Sequence, residues 1–244
     1  MPSIYLSPST QEWNSYIIGG TEEYYMNLLA DALVPYLRSN AIRFTRNTPD
    51  MTAGSSIRQS NEGNYDLHLA LHSNAAPEGR SGAVRGADIY YYPSSQSGQR
   101  AAQDIANRLQ YIYPIPERVR IVPSTTIGEV RLTNAPSVLA EVAYHDNEED
   151  ANWIVQNIDP IAQAIAMGLT DYFGTEFVWP VTPFTGTVTT SGGSLNIRSA
   201  PSLQGEIIGQ LQNGDQVTVL GASEDWYTIA HNSTLGFANA EFIR

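Results

Sequence analysis

Short apolar runs alternate with longer amphipathic stretches through the first 174 residues, and beyond them the helical period disappears. Ser3–Ser7, Ile42–Arg46, Asp66–Ala75, Ala87–Tyr92 and Ser137–Tyr144 read as strands. Between them, apolar positions at three- and four-residue spacing predict helices. One runs from an N-cap at Thr21 to about Ser39, with Leu29, Leu33 and Leu37 on one stripe. Others fall within Met51–Tyr65, over Gln96–Ile112 and after Asn147. The last starts at Asp159-Pro160 and ends at Gly174, the proline at a first helical position and the glycine at a C-terminal stop. Strands alternating with helices give an α/β domain over residues 1–174, expected as a three-layer mixed sheet flanked by helices. Tyr113–Gly128, rich in Pro and Arg, reads as a long loop, either on the substrate side or a solvated connector.

Residues 175–184 hold two prolines and several aromatics and read as a linker that docks on a surface. From 185 to 244 the runs are short, alternating and punctuated by Gly or Pro, which predicts a small all-β barrel.

Two strands carry groups that do not belong in an apolar run. Leu67-His68-Leu69-Ala70-Leu71-His72 ends on a histidine, and ligands of such sheets collect beyond the carboxyl ends of the strands, so His72 is a site candidate. His68 shares its face earlier in the strand and reads as core. In Ser137–Tyr144 the carboxylate of Glu141 interrupts the run, and burying it unpaired costs several kcal/mol unless a metal or a catalytic role compensates.

Composition narrows the chemistry. The net charge of −12 disfavours nucleic-acid binding and predicts repulsion from anionic polymers. All 13 basic residues are arginine, which excludes a lysine nucleophile. Without cysteine, a metal would have to be held by His, Asp, Glu or neutral oxygens. No apolar run reaches the roughly 18–20 residues of a membrane span, and no charged leader precedes the first strand.

The stretch His72-Ser73-Asn74-Ala75, the strand Val138-Leu139-Ala140-Glu141 followed by Asp146-Asn147-Glu148-Glu149, Glu22 ahead of Leu29-Ala30, and Phe44-Thr45-Arg46 with Arg58 and Asn61 together resemble the zinc-dependent N-acetylmuramoyl-L-alanine amidases of bacterial cell walls. The resemblance covers about residues 1–174. It implies Zn2+ held by Glu22 and His72, with Glu141 as the proton carrier, and peptidoglycan as the substrate. The family's loop after the first strand carries a histidine ligand, whereas Ser7-Pro8-Ser9-Thr10-Gln11 has none. Gln11 then stands as the third ligand, with Asn14 and His145 as other substitutes. Asn74 and His145 are the substrate-side candidates. The barrel resembles bacterial SH3-like modules through Leu195-Asn196-Ile197-Arg198, Gly209, Leu211, Gly214, Asp225-Trp226-Tyr227 and Gly236-Phe237. Asn196 and Arg198 read as residues that hold its turns, Trp226 as core, and His231 as solvated.

Two functions follow from the resemblance. One is an active amidase acting outside the cell or in the wall, its leader removed or its release of the phage type. The other is a degenerate amidase fold that binds peptidoglycan or a partner without cutting. The oligomeric state is open.

Overall fold

A computed structural model describes residues 1–244. The chain divides into two compact units: residues 2–33 with 44–172, and residues 173–244 with residue 1 and residues 34–43.

The first unit is built on strands β1 (Ser3–Pro8), β2 (Arg43–Arg46), β3 (Leu67–Asn74), β4 (Ala87–Tyr91), β5 (Val119–Pro123) and β6 (Ser137–Tyr144). They form one sheet in the order β2-β1-β3-β6-β4-β5. β1, β3 and β6 are parallel, β4 runs antiparallel to β6, and β5 is parallel to β4. Both central strands are buried almost throughout, the solution available to near-continuous apolar runs covered on two faces. The intervening helices are α1 (Glu22–Ser39), α2 (Ala53–Glu62), α3 (Gln96–Gln110), α4 (Gly128–Arg131), α5 (Glu148–Gln156) and α6 (Ile158–Phe173). The result is the mixed sheet flanked by helices that the alternation predicts. No helix is long and apolar enough to cross a membrane.

The stretch Tyr113–Gly128 departs from expectation. Within it, Val119–Pro123 forms β5 at the sheet edge. Its signal is weak because an edge strand pairs on one side only, so Arg120 can stay exposed within it and Pro123 can end it at no loss to a second ladder.

Register fixes the site. His72 lies opposite Glu141, Glu141 opposite Asp88, and Asp88 opposite Arg120. Directly paired residues point to the same face, so one row of ionisable side chains crosses β3, β6, β4 and β5. α1 delivers Glu22 in its first turn, where the helix dipole favours a carboxylate and Thr21 Oγ1 accepts from the Tyr24 N–H. Met26, Leu29, Ala30 and Leu33 bury its apolar stripe.

α6 begins one residue before Asp159, and Gly174 closes it with φ +67°, a backbone angle that glycine adopts without strain. Within α6, Gly168 allows close approach to α3. A Cβ there would lie 2.6 Å from Ile105 Cα, which is backbone and cannot swing aside. Gly168→Ala is therefore expected to destabilise the protein by about 1–3 kcal/mol despite alanine's better helix propensity, measurable by urea unfolding.

The second unit is a six-stranded antiparallel sheet. Its strands are β7 (Trp179–Thr187), β8 (Leu195–Arg198), β9 (Ile207–Leu211), β10 (Gln216–Ala222), β11 (Trp226–His231) and β12 (Thr234–Asn239), in the order β7-β10-β11-β12-β8-β9. β7 begins at Trp179, inside the stretch 175–184, and pairs with β10 from Trp179 opposite Ala222 onwards. Inward positions such as Val217, Val219, Leu195, Ile197, Leu211 and Ile229 fill the core. Arg198 Nη1 donates to Gly205 O at 2.8 Å and Asn196 Oδ1 accepts from Gln210 Nε2 at 3.1 Å, so both hold the barrel's own chain together. Trp226 packs against Ala41, Val178 and Phe237. His231 ends β11, its Nδ1 at 3.0 Å from Gln216 O. Also in this unit, Ser39 Oγ donates to Val178 O and Val178 N–H donates to Asn40 Oδ1, at 2.8 and 2.7 Å.

Candidate active site

At the carboxyl end of β3 the imidazole of His72 is held on both nitrogens. Nδ1 lies 2.7 Å from Glu22 Oε1, and Nε2 lies 3.1 Å from Glu129 Oε2. All three side chains are buried. With a carboxylate at each nitrogen, both ring positions must donate, so in the metal-free protein the ring is an imidazolium. Burial alone would lower the pKa of His72, but the bonds to Glu129 and Glu22 outweigh it and hold the value well above the ordinary one. For Glu22, burial pushes upwards and is overcome by the hydrogen bond and charge of His72 and by Asn14, leaving it below its usual value. Glu129 follows the same logic and is driven far below the carboxylate range by His68 and His72.

Glu141 is in the opposite position. Its Oε2 is buried and has no hydrogen-bond partner. Desolvation pushes its pKa up to about 8, and the charges of Glu22, Asp88 and Glu129 work in the same direction against the help of His72. Glu22 and Glu129 thus flank the His72 ring with lowered pKa values, while Glu141 beside them keeps its proton near neutrality. Two like groups with pKa values driven apart is the pattern of an acid–base site. Glu141, His72, Glu129, Gln11 and Leu139 line a cavity of about 260 Å³.

Gln11 reaches the site from the loop after β1. Its Nε2 lies 3.3 Å from His72 Nδ1, and its Oε1 accepts from Asn14 Nδ2 at 3.1 Å. Asn14 Nδ2 also donates to Glu22 Oε2 at 2.6 Å. Asn74 is half-buried at the end of β3, where its Oδ1 accepts from the Ala75 N–H and its Nδ2 lies 3.5 Å from Asp88 Oδ2. His145 is buried against Tyr16 and holds Ser73 O through Nδ1 at 2.8 Å. Glu22, His72, Gln11 and Glu141 therefore converge, whereas His145 stands behind the strand end. His68 is fully buried as expected of core, yet it is not apolar core: it stacks on Tyr5 and bridges Ser60 Oγ and Glu129 Oε1.

Glu129 was not visible in the sequence. It sits on the four-residue helix α4, too short to show a period, and only the fold brings it under β3. The one signal is indirect: His68 and His72 leave two imidazoles on one strand face, and the nearby Asp66 is taken up by Ser3.

No three His, Asp or Glu side chains gather as a metal cluster. Two strong donors, Glu22 Oε1 and His72 Nδ1, nevertheless face each other with a carboxamide beside them, and a buried carboxyl oxygen nearby lacks any partner. This donor set fits a divalent cation such as zinc with two good protein ligands and a weak third, provided the Gln11 amide turns its oxygen towards the ion.

A buried carboxylate–imidazole pair with a glutamate of raised pKa beside it, set at the strand ends of a mixed α/β sheet, defines an acid–base site of the hydrolase class. Residues 12–171 match the family model described as N-acetylmuramoyl-L-alanine amidase, and residues 193–244 match the bacterial SH3 domain. The chain belongs to the N-acetylmuramoyl-L-alanine amidase family. It is 31% identical over 112 residues, 44% of the chain, to the N-acetylmuramoyl-L-alanine amidase LytC of Bacillus subtilis, of whose length the match spans 22%. Among solved structures it resembles the N-acetylmuramoyl-L-alanine amidase AmiC2 of Nostoc punctiforme, with a TM-score of 0.62, 18% identity, and coverage of 71% of this chain and 97% of that one. An N-acetylmuramoyl-L-alanine amidase from Clostridium difficile gives a TM-score of 0.64 at 16% identity, over 72% of this chain and 98% of that one.

Proposed function

We propose that the protein is a zinc-dependent peptidoglycan hydrolase. It cuts the amide between the lactyl group of N-acetylmuramic acid and L-alanine of the stem peptide. The observation that carries this reading is Glu141: its Oε2 is buried without a partner, its pKa is pushed up to about 8, and it lines the same cavity as His72 and Gln11. Glu22 and His72 would hold the ion, with Gln11 as the third protein ligand. When bound, a zinc ion supplies a nucleophilic water near neutral pH and polarises the scissile carbonyl.

The remaining work falls to the chain. Glu141 Oε2 takes a proton from the attacking water and returns it to the departing L-alanine amine, the general base becoming the general acid. Glu141 must be ionised to take that proton: burial and the charges of Glu22, Asp88 and Glu129 hold the proton on in the metal-free chain, and a cation held by Glu22 and His72 would favour its release. Asn74, at the open end of β3, is assigned to substrate orientation. His145 acts from behind, fixing Ser73 and with it the direction of the strand end. Action at the cell wall follows from the substrate, and the SH3-like barrel is the part we assign to wall binding.

Mass spectrometry of purified peptidoglycan, incubated with the zinc-loaded protein and in parallel with chelator, tests the proposal. Stem peptides with a free L-alanine amine are expected in the metal sample only. Intact walls from several sources would instead support a binding protein on an enzyme's fold.

A further inference from the structure

Glu129 has no place in the chemistry above, yet both of its oxygens are engaged by buried side chains. Its Oε1 accepts from Ser7 Oγ and lies 3.3 Å from His68 Nε2, and its Oε2 lies 3.1 Å from His72 Nε2. His68 is itself anchored at Nδ1 by Ser60 Oγ at 2.9 Å. Three strands or helices of the first unit, β1, β3 and α2, thus contribute groups that fix one carboxylate on α4. Such a group is costly to bury, and its burial is offset by these partners.

Geometry decides which role it has. The two nitrogens of an imidazole point to opposite sides of the ring, and Glu22 occupies the Nδ1 side. An ion held by Glu22 and His72 Nδ1 has Glu129 behind the ring, so Glu129 does not replace the absent loop ligand. A carboxylate behind a ligating histidine fixes the ring and its tautomer and raises its basicity. That support counts for more here, where the loop offers only the Gln11 carboxamide as the third donor.

We propose that Glu129 is a positioning residue. It holds the Nε2–H of His72, and so keeps Nδ1 free and aimed towards Glu22 for a divalent cation, with His68 and Ser7 keeping Glu129 itself in place. The assignment rests on the metal site of the amidase reading but not on amide cleavage, so it is tested on binding.

Zinc affinity of the full chain, measured by competition with a chromophoric chelator, is expected to fall about 10–100-fold in Glu129→Gln. His68→Gln, which spares the carboxylate but removes an anchor, is expected to give a smaller loss in the same direction and serves if Glu129→Gln does not fold. The second readout is the His72 Nε2–H proton resonance. It is expected far downfield and protected from exchange in the zinc-loaded wild type, moved upfield in Glu129→Gln. Unchanged affinity and an unchanged His72 resonance in the folded Glu129→Gln would overturn the proposal. If affinity and resonance respond as expected in a protein that cuts no wall, the amidase reading fails and the positioning role stands. If the wild type binds no zinc, the proposal is overturned with the cation site it serves.

Discussion

Replacing Glu141 with glutamine is expected to lower peptidoglycan hydrolysis by about 10²–10⁴-fold, the range of a lost general acid–base, with little change in wall binding. Glutamine keeps the size of the side chain and cannot carry the proton. The same substitution has a second, separable effect on the metal-free protein. The pKa of Glu141 in the folded state is raised from 4.5 to about 8, so its favourable contribution is present below about 4.5 and is lost as pH rises towards 8. Above that, the wild type must hold an ionised carboxylate among Glu22, Asp88 and Glu129, and glutamine escapes the penalty. Glu141→Gln should therefore match the wild type in urea unfolding near pH 4.5 and exceed it by a few kcal/mol near pH 8.5, both in chelator. Wild-type turnover in the variant would remove Glu141 from the mechanism. A flat stability difference across that pH span would show that its oxygen finds water or a partner in solution.

His72→Ala is expected to be among the most damaging single changes in the first unit, at about 3–5 kcal/mol, because it strips two buried carboxylates of one shared counter-charge. Glu22 and Glu129 would face each other across the emptied ring position, each bonded until then to His72. The loss should depend on pH in a defined way. The two carboxylates are held below their ordinary 4.5, so their share of the stability is present above 4.5 and disappears as pH falls through the lowered values. His72 is held above its ordinary 6.5, so its share is complete below 6.5 and disappears as pH climbs through the raised value. The gap between wild type and variant is then widest between about pH 4.5 and 6.5 and narrows on both sides. Urea unfolding at pH 3, 5.5 and 9 in chelator measures it. A gap that does not narrow at either extreme would mean that lost packing, rather than charge, is what the alanine removes.

The residues that were legible in the sequence share one property: each interrupts a period that neighbouring residues establish. Glu22 opens the apolar stripe of α1, His72 ends an apolar strand, and Glu141 breaks one. Their pattern makes burial predictable, and burial of a charge demands an explanation. Glu129 lacks such a background. It is buried because Ser7, His68 and His72 surround it from two strands, and such long-range contacts leave no trace in the residues beside it. β5 was missed for a related reason. Its Arg120 spends its charge on the buried Asp88, two hydrogen bonds at 3.0 and 2.7 Å to the same oxygen, and so reads as a loop residue while completing the sheet. The strand order itself, with β6 between β3 and β4, is equally invisible to periodicity, yet it is what aligns His72, Glu141, Asp88 and Arg120.

The 2.7 Å contact between Glu22 Oε1 and His72 Nδ1 encloses a proton, and a cation seeking the same nitrogen must evict it. Zinc uptake at the proposed site would thus be an exchange in which hydrogen ions enter the solvent. Calorimetric heats should accordingly differ between phosphate and Tris by the ionisation enthalpy of the buffer, and acidification should weaken zinc binding before it unfolds the chain.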